Sequence, residues 1–230
     1  MFKTIDDTTQ LQVSKPFVDF TEYAIYNPGT LEMALPVVEA CGIKPGMWVL
    51  ELGGGSGQVA CVLAKHWNCT VITLEPWNDC QEIQDRAERE GVWDRVIPLK
   101  LEVQHLPFPR NSFDAAIAFG TLEMIGKDRP IALEQVKRVL KPGACFGIGE
   151  AMNLDVSRPT FQHDTLEQNR KLFEHHGFEI AQAVYFEQAY QWWLDNADRL
   201  NREQDPWIKQ TRADGGRSVS MGMVIGRKPS

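Results

Sequence analysis

The 230-residue chain lacks a membrane-length apolar run, an excess of basic charge and any paired cysteine spacing, and each absence removes a class of function. A membrane-spanning helix needs roughly 20 consecutive apolar residues. The N-terminus MFKTIDDTTQ also has no apolar stretch of the secretory kind, so a cytoplasmic location with no membrane partner is expected. Lys and Arg number 24 against 31 Asp and Glu, for a net charge of −7. Such a chain carries no electrostatic footprint for a phosphate backbone, and nucleic acid is not expected as a partner. The cysteines, Cys41, Cys61, Cys69, Cys80 and Cys145, form neither a C-x-x-C pair nor a metal-ligand spacing. Reduced, buried thiols and no metal follow as expectations. There is no internal repeat or low-complexity tract. The length suits one α/β domain with a full core better than two cramped ones.

What the chain does have is WVLELGGGSGQVA, Trp48 to Ala60. Trp48, Val49, Leu50 and Leu52 read as a central parallel strand covered on both faces. Gly53, Gly54, Gly55 and Gly57 then allow positive φ and a close approach of backbone to ligand just before a helix start. An adenosine-containing cofactor fits such a turn; a ligand-free glycine turn is the alternative. The dinucleotide frame G-x-G-x-x-G fails from Gly53, because position 58 is Gln58, and passes from Gly55 only through Gly57 and Ala60. Glu51, two residues before the first glycine, gives E-x-G-x-G-x-G instead.

CTVITLEPWND supplies a second strand, Val71 to Glu75, ending in an acid. Its separation from the glycine loop is close to the ~20 residues that place a carboxylate on a ribose. Glu75 is therefore the expected ribose ligand, with an exposed strand-end glutamate as the alternative. Pro76 and Trp77 follow, where either could lie on an adenine face. RVIPLKLEV reads as a third strand and Asp114 to Phe119 as a fourth, leaving through Phe119, Gly120, Thr121, Leu122, Glu123 and Met124. Ligands of open α/β sheets sit outside such strand ends, so Thr121, Glu123 and Met124 are expected in a pocket. A helix from about Pro130 to Leu140 closes with RVLKPG. A fifth strand, CFGIGEAM, ends at Glu150 on the same rim.

Upstream, residues 1 to 15 read as a loose terminus, a short amphipathic helix carries Tyr23, and a second helix runs to about Ala40. Downstream, a helix and a sixth strand precede an insert of ~30 residues, longer than a hairpin needs. It contains one expected helix together with Trp192, Trp193 and Trp207, and the final strand runs from Ser220 to Pro229.

The motifs ELGGGSG, the Glu75 strand end, EVQHLPFPRNSFD and RVLKPG stand in the order and spacing of the class I S-adenosylmethionine (SAM)-dependent methyltransferases, which the chain resembles over residues 48 to 150. In flavour it is similar to the bacterial ubiquinone C-methyltransferase and sarcosine/dimethylglycine N-methyltransferase groups. The resemblance implies a three-layer, doubly wound α/β fold with a seven-stranded, mostly parallel sheet whose last strand is antiparallel. As one domain, it would comprise an N-terminal helical arm or lid (1–45), a cofactor-binding core (46–186), a helical insert near the substrate (187–218) and the last strand (219–230). The cofactor is then SAM and the product S-adenosylhomocysteine, bound by Glu51, the four glycines, Glu75, Pro76, Trp77, Phe119 and Gly120. By the same resemblance Glu102, where most members carry aspartate, faces the adenine amino group and the Val103 backbone meets the ring. No [DN]-P-P-[YFW] follows the fourth strand, which favours a small-molecule acceptor over a nucleic-acid base.

Methyl transfer from SAM needs a nucleophile in line with the methyl group and little acid–base help, so positioning carries most of the catalysis. Glu123, Tyr23 and Tyr26 are the candidate catalytic residues. The tyrosines would close the arm over the cofactor or touch the acceptor, with plain packing as the alternative. Thr121, Met124, Glu150, Trp192 and Trp193 are the candidate substrate contacts, the tryptophans as an aromatic box or, alternatively, as core. His105 and His163 read as loop histidines, His163 with a place at the pocket lip as its other reading. A nicotinamide oxidoreductase built on Gly55, Gly57 and Ala60, a non-catalytic SAM-binding partner and a homodimer all stay open.

Overall fold

The computed structural model describes residues 10–11, 30–154 and 163–230. Its strands, in chain order, are β1 (Gln10–Leu11), β2 (Trp48–Leu52), β3 (Thr70–Leu74), β4 (Val96–Leu99), β5 (Phe113–Phe119), β6 (Leu140–Asn153), β7 (Glu179–Phe186) and β8 (Val219–Arg227). They form one sheet in the order β1-β7-β8-β6-β5-β2-β3-β4. All pairings are parallel except the two made by β8, which lies antiparallel between β6 and β7. The seven longer strands are those the resemblance implies. The two-residue β1 is an addition: where a loose terminus was expected, Gln10 and Leu11 pair with Tyr185 and Phe186 and occupy the otherwise open edge of β7.

Side chains alternate between two cores, as a sheet covered on both sides requires. Val49, Val71, Ala115 and Ile117 face one core, shared with α1 (Thr30–Ala40), α2 (Gln58–His66), α3 (Cys80–Arg89) and α7 (Ala189–Arg199). Leu50, Ile72, Ala116, Phe146 and Ile148 face the other, shared with α4 (Leu122–Ile125), α5 (Arg129–Val139) and α6 (Leu166–His175). This is the three-layer arrangement of a doubly wound fold.

The helix α1 lies on β6 because that strand offers glycines on this face. A Cβ at Gly147 would stand 2.7 Å from Val37 Cγ1, and one at Gly149 would stand 3.2 Å from Met33 Cβ. The described part of the arm is thus a sheet cover; Tyr23 and Tyr26 lie outside the described residues. RVLKPG ends a helix as expected, but the strand after it begins earlier than expected. α5 stops at Val139, and Leu140 already begins the long β6, with Gly143 at φ +77 inside it. The expected third strand is shorter, because Pro98 sits on the outer strand, where a missing N–H costs no ladder bond, and Val103–His105 winds into a 3-10 turn. The insert holds two helices, α7 and α8 (Pro206–Asp214), rather than one.

All five cysteines are free; Cys61, Cys69 and Cys145 are buried and Cys41 and Cys80 partly so. Burial pushes the Cys61 thiol up to about 12 and Cys69 up to about 11. No helix among the described residues is long and apolar enough to cross a membrane.

Candidate cofactor cleft and active site

β2 has β3 on one side and β5 on the other, so the strand order reverses there and the chain leaves a crevice above the strand ends. That crevice is a cleft of about 360 Å³, lined from the β2 end by Leu52, Gly53 and Gly55. From β3 and the turn after it come Leu74, Glu75, Pro76, Trp77 and Asn78, and from the β4 side Leu101, Glu102, Val103 and Gln104. Beyond β5 stand Phe119, Gly120, Thr121, Glu123, Met124 and Ile125. Twelve of the candidate residues thus meet in one place. Leu52, Leu74, Asn78, Leu101, Gln104 and Ile125 join them without having been singled out; the crevice rule that picked Thr121 could have found Leu52 and Leu74 at neighbouring strand ends.

The glycines have separate jobs. A Cβ at Gly53 would stand 2.2 Å from Thr121 Oγ1, one at Gly54 2.0 Å from Thr73 Oγ1, and one at Gly57 2.7 Å from Ile83 Cγ2. Those three let the loop pack closely on its own fold. Gly55, at φ +55, has nothing within 4 Å of its Cβ position and opens onto the cleft. Gly54 and Gly57 do not line the cleft; their close contacts are with Thr73 and Ile83 behind it.

Glu75 is 3% exposed, and its carboxylate is fully oriented. Gly55 N–H donates to Oε2 at 2.8 Å, while the N–H groups of Trp77 and Asn78 each donate to Oε1 at 2.9 Å. One acid therefore ties the glycine loop to the turn after β3. Trp77, 66% exposed, stands at the cleft wall beside it. On the β4 side the LPFP segment is clamped by α5: Arg138 donates to the carbonyls of Leu106 at 2.7 Å and Phe108 at 2.6 Å. This holds Glu102 and the buried Val103 at the rim. His105 is exposed and stays out of the cleft.

Glu51 is a correction. It points beneath the loop instead of into the cleft, 2% exposed, with Oε2 lacking a hydrogen-bond partner among the described residues. Burial pushes its carboxyl up to about 8; the nearby Thr73 hydroxyl pulls it down and the Glu75 carboxylate pushes it up.

At the β5 end, the Thr121 hydroxyl is already engaged with the carbonyls of Leu52 at 3.0 Å and Phe119 at 3.1 Å, so it ties β2 to β5. Glu123 lines the cleft, and its N–H donates to Glu150 Oε2 at 3.1 Å. Glu150 itself is 1% exposed and lies behind Glu123 rather than on the wall. Burial pushes the Glu150 carboxyl up to about 8, the Glu123 carboxylate raising it further, with the Glu123 N–H and Arg129 acting against them. His163 Nδ1 lies 2.6 Å from Glu123 Oε2. Among the described residues no group of three or more His, Cys, Asp or Glu is placed to hold a metal.

The proposed aromatic box is not on the cleft wall. Trp193 is 1% exposed and belongs to the core under α7, and Trp192 packs on Phe186 with ring centroids 5.3 Å apart. The helix α7 turns this face to the sheet because its apolar positions lie on one side; Trp207 stands in the first turn of α8.

Residues 50–148, which hold the glycine loop, Glu75, Glu102 and Glu123, match a family described as a methyltransferase domain. The ubiquinone/menaquinone biosynthesis C-methyltransferase UbiE of Shewanella halifaxensis is 31% identical over 188 residues, covering 78% of this chain and 69% of the relative. Among solved structures, the cyclase SpnF superposes with a TM-score of 0.76 at 22% identity, covering 86% of this chain and 80% of that one. Phosphoethanolamine N-methyltransferase 2 of Haemonchus contortus, solved with phosphomonomethylethanolamine and S-adenosylhomocysteine, gives 0.73 at 19% identity, over 90% of this chain and 55% of that one. The two structures share the fold. The sequence match carries more: the chain belongs to the class I SAM-dependent methyltransferases. It is a methyltransferase whose methyl donor is SAM.

Proposed function

We propose that the cleft holds SAM with its adenosine half over β3 and β4 and its methyl group over β5, and passes the methyl to a small-molecule acceptor in the cytoplasm. The observation that carries this is the oriented Glu75 carboxylate on the cleft wall, next to a glycine whose missing side chain leaves the wall open. The residues present fit the cofactor. Glu75 would take the ribose hydroxyls, Trp77 an adenine face, and Glu102 with the Val103 backbone the ring edge. Glu51 stays beneath the loop, its carboxyl raised to about 8 by burial, and supports the loop rather than offering a charge to the cofactor.

When bound, SAM supplies a methyl carbon made electrophilic by the adjoining sulfonium, and the group departs as a neutral thioether. The chain's own work is mostly placement. Holding acceptor and methyl at attack distance can contribute up to ~7–11 kcal/mol of the barrier. Phe119, Met124 and Ile125 form apolar walls at that end, suited to an acceptor with a substantial apolar part. The cleft volume lies in the range of small-molecule sites, about 300–1,000 Å³.

Calorimetric titration with S-adenosylhomocysteine tests this reading. Glu75→Ala removes the ribose ligand and frees three backbone donors, so affinity should fall by at least ~30-fold, taking ~2 kcal/mol for a charged hydrogen bond. Unchanged affinity in a folded variant would remove Glu75 from the site.

A further inference from the structure

We propose that Glu123 accepts a proton from the methyl acceptor, held for that purpose by His163 and Glu150, so that the acceptor is a protic nucleophile with a hydroxyl or thiol at the attacking atom. The inference rests on the methyl end of the cofactor lying over β5.

Three separate parts of the chain converge to build this group. Glu123 sits in the first turn of the short α4, Glu150 near the end of the neighbouring β6, and His163 on the return from β6 to α6. The described end of that return, His163 and Asp164, is anchored at the end of β6. Asn153, 2% exposed, donates from its backbone N–H to the Asp164 carbonyl at 3.0 Å and from its side chain to the His163 carbonyl. Asp164 pairs with Arg129 at 2.6 Å. Among the described residues, the groups around Glu123 are His163, Glu150, Asp164 and Arg129.

Within that set the roles divide by position. Glu123 alone lines the cleft. Its Oε2 meets His163 Nδ1, which leaves Oε1 as the oxygen a ligand can reach. Burial raises the Glu150 carboxyl to about 8, and its Oε2 takes the Glu123 N–H from behind, which leaves the Glu123 side chain facing the cleft. The His163 and Glu123 side chains are only 12% and 16% exposed, a setting in which a fixed carboxylate works as a general base. As the acceptor heteroatom donates its electron pair to the methyl carbon, the carbon–sulfur bond breaks with its pair passing to sulfur. The acceptor proton goes to Glu123 and leaves to solvent after the products.

The test uses the full chain and SAM labelled in the methyl group, with 2-naphthol, benzenethiol and N,N-dimethylaniline as acceptors; the last has no proton to lose. Label should enter a protic member and not dimethylaniline. Glu123→Gln should lower kcat at least ~100-fold, leave the KM for SAM unchanged and flatten the rise of rate with pH. Glu123→Asp should recover part of the rate. His163→Asn keeps an N–H near the Nδ1 position and should stay within ~10-fold of the parent, whereas His163→Phe should not. In the S-adenosylhomocysteine complex the His163 Nδ1 proton should give a low-field resonance that Glu123→Gln removes. Full activity in a folded Glu123→Gln, methylation of dimethylaniline, or no methylation of any member by a protein that S-adenosylhomocysteine stabilises overturns the proposal. Absence of that stabilisation would instead break the placement of the cofactor.

Discussion

Glu75 accepts three backbone N–H bonds, two on Oε1 and one on Oε2, which fixes the shape of the loop before any ligand arrives and leaves Oε2 able to accept once more. Gly53 has a similarly local demand. Its φ of +71 and the 2.2 Å from its Cβ position to Thr121 Oγ1 mean that Gly53→Ala should cost more than ~1 kcal/mol, read as a lower melting temperature. Glu51 makes a pH prediction. Its folded value of about 8 lies above the ordinary 4.5, so the folded state binds the proton more tightly than the unfolded one. Its contribution is most favourable below 4.5, declines as pH rises from 4.5 to 8, and is flat above. Glu51→Gln should accordingly raise the melting temperature at pH 8 relative to the parent, and do less at pH 5. Glu167 runs the other way: its bond from Arg170 is the main reason that its carboxyl is held near about 2, and that stability is present above 4.5 and lost as pH falls. At this scale the glycines and Glu75 were legible because their signal is local chain geometry. The pairing of His163 with Glu123 was not, since only the fold brings the two together.

Among elements, α5 matters to the cleft through one residue. Arg138 holds two carbonyls of the LPFP segment, so Arg138→Met should cost roughly 2–3 kcal/mol and weaken S-adenosylhomocysteine binding several-fold by releasing Glu102 and Val103. The helix α7 serves packing. Trp193→Ala should cost ~3–5 kcal/mol while the folded fraction keeps its cofactor affinity; affinity lost without a change in melting temperature would return the tryptophan to the site. A tryptophan pair on an amphipathic helix looks the same in sequence whether it faces a core or a ligand, which is why the box could be expected and be misplaced. RVLKPG marked the end of α5 correctly, but its proline and glycine hid the start of the strand, which begins at once after the helix and runs through both. The second helix of the insert carries no strong period of its own, and its packing against α7 is tertiary.

For the whole molecule, the short, nearly continuous apolar runs were enough to give seven strands, and the resemblance their order, because parallel strands buried on both faces leave a strong signature. The two-residue β1 carries no such signature; its pairing depends on the free edge of β7. The order also places the cleft, since β2 has β3 on one side and β5 on the other and the strand order reverses there. The central claim is that this cleft is a SAM site. Thermal melts of the full chain with SAM, S-adenosylhomocysteine and NAD, beside Gly55→Arg, test it most directly. At a hundred times its dissociation constant a bound ligand adds ~2.7 kcal/mol of stability. The account predicts that shift with the two adenosyl sulfur compounds alone, and its loss in a folded Gly55→Arg, whose side chain would stand in the open wall. A shift with NAD instead, or none with any of the three, would contradict it.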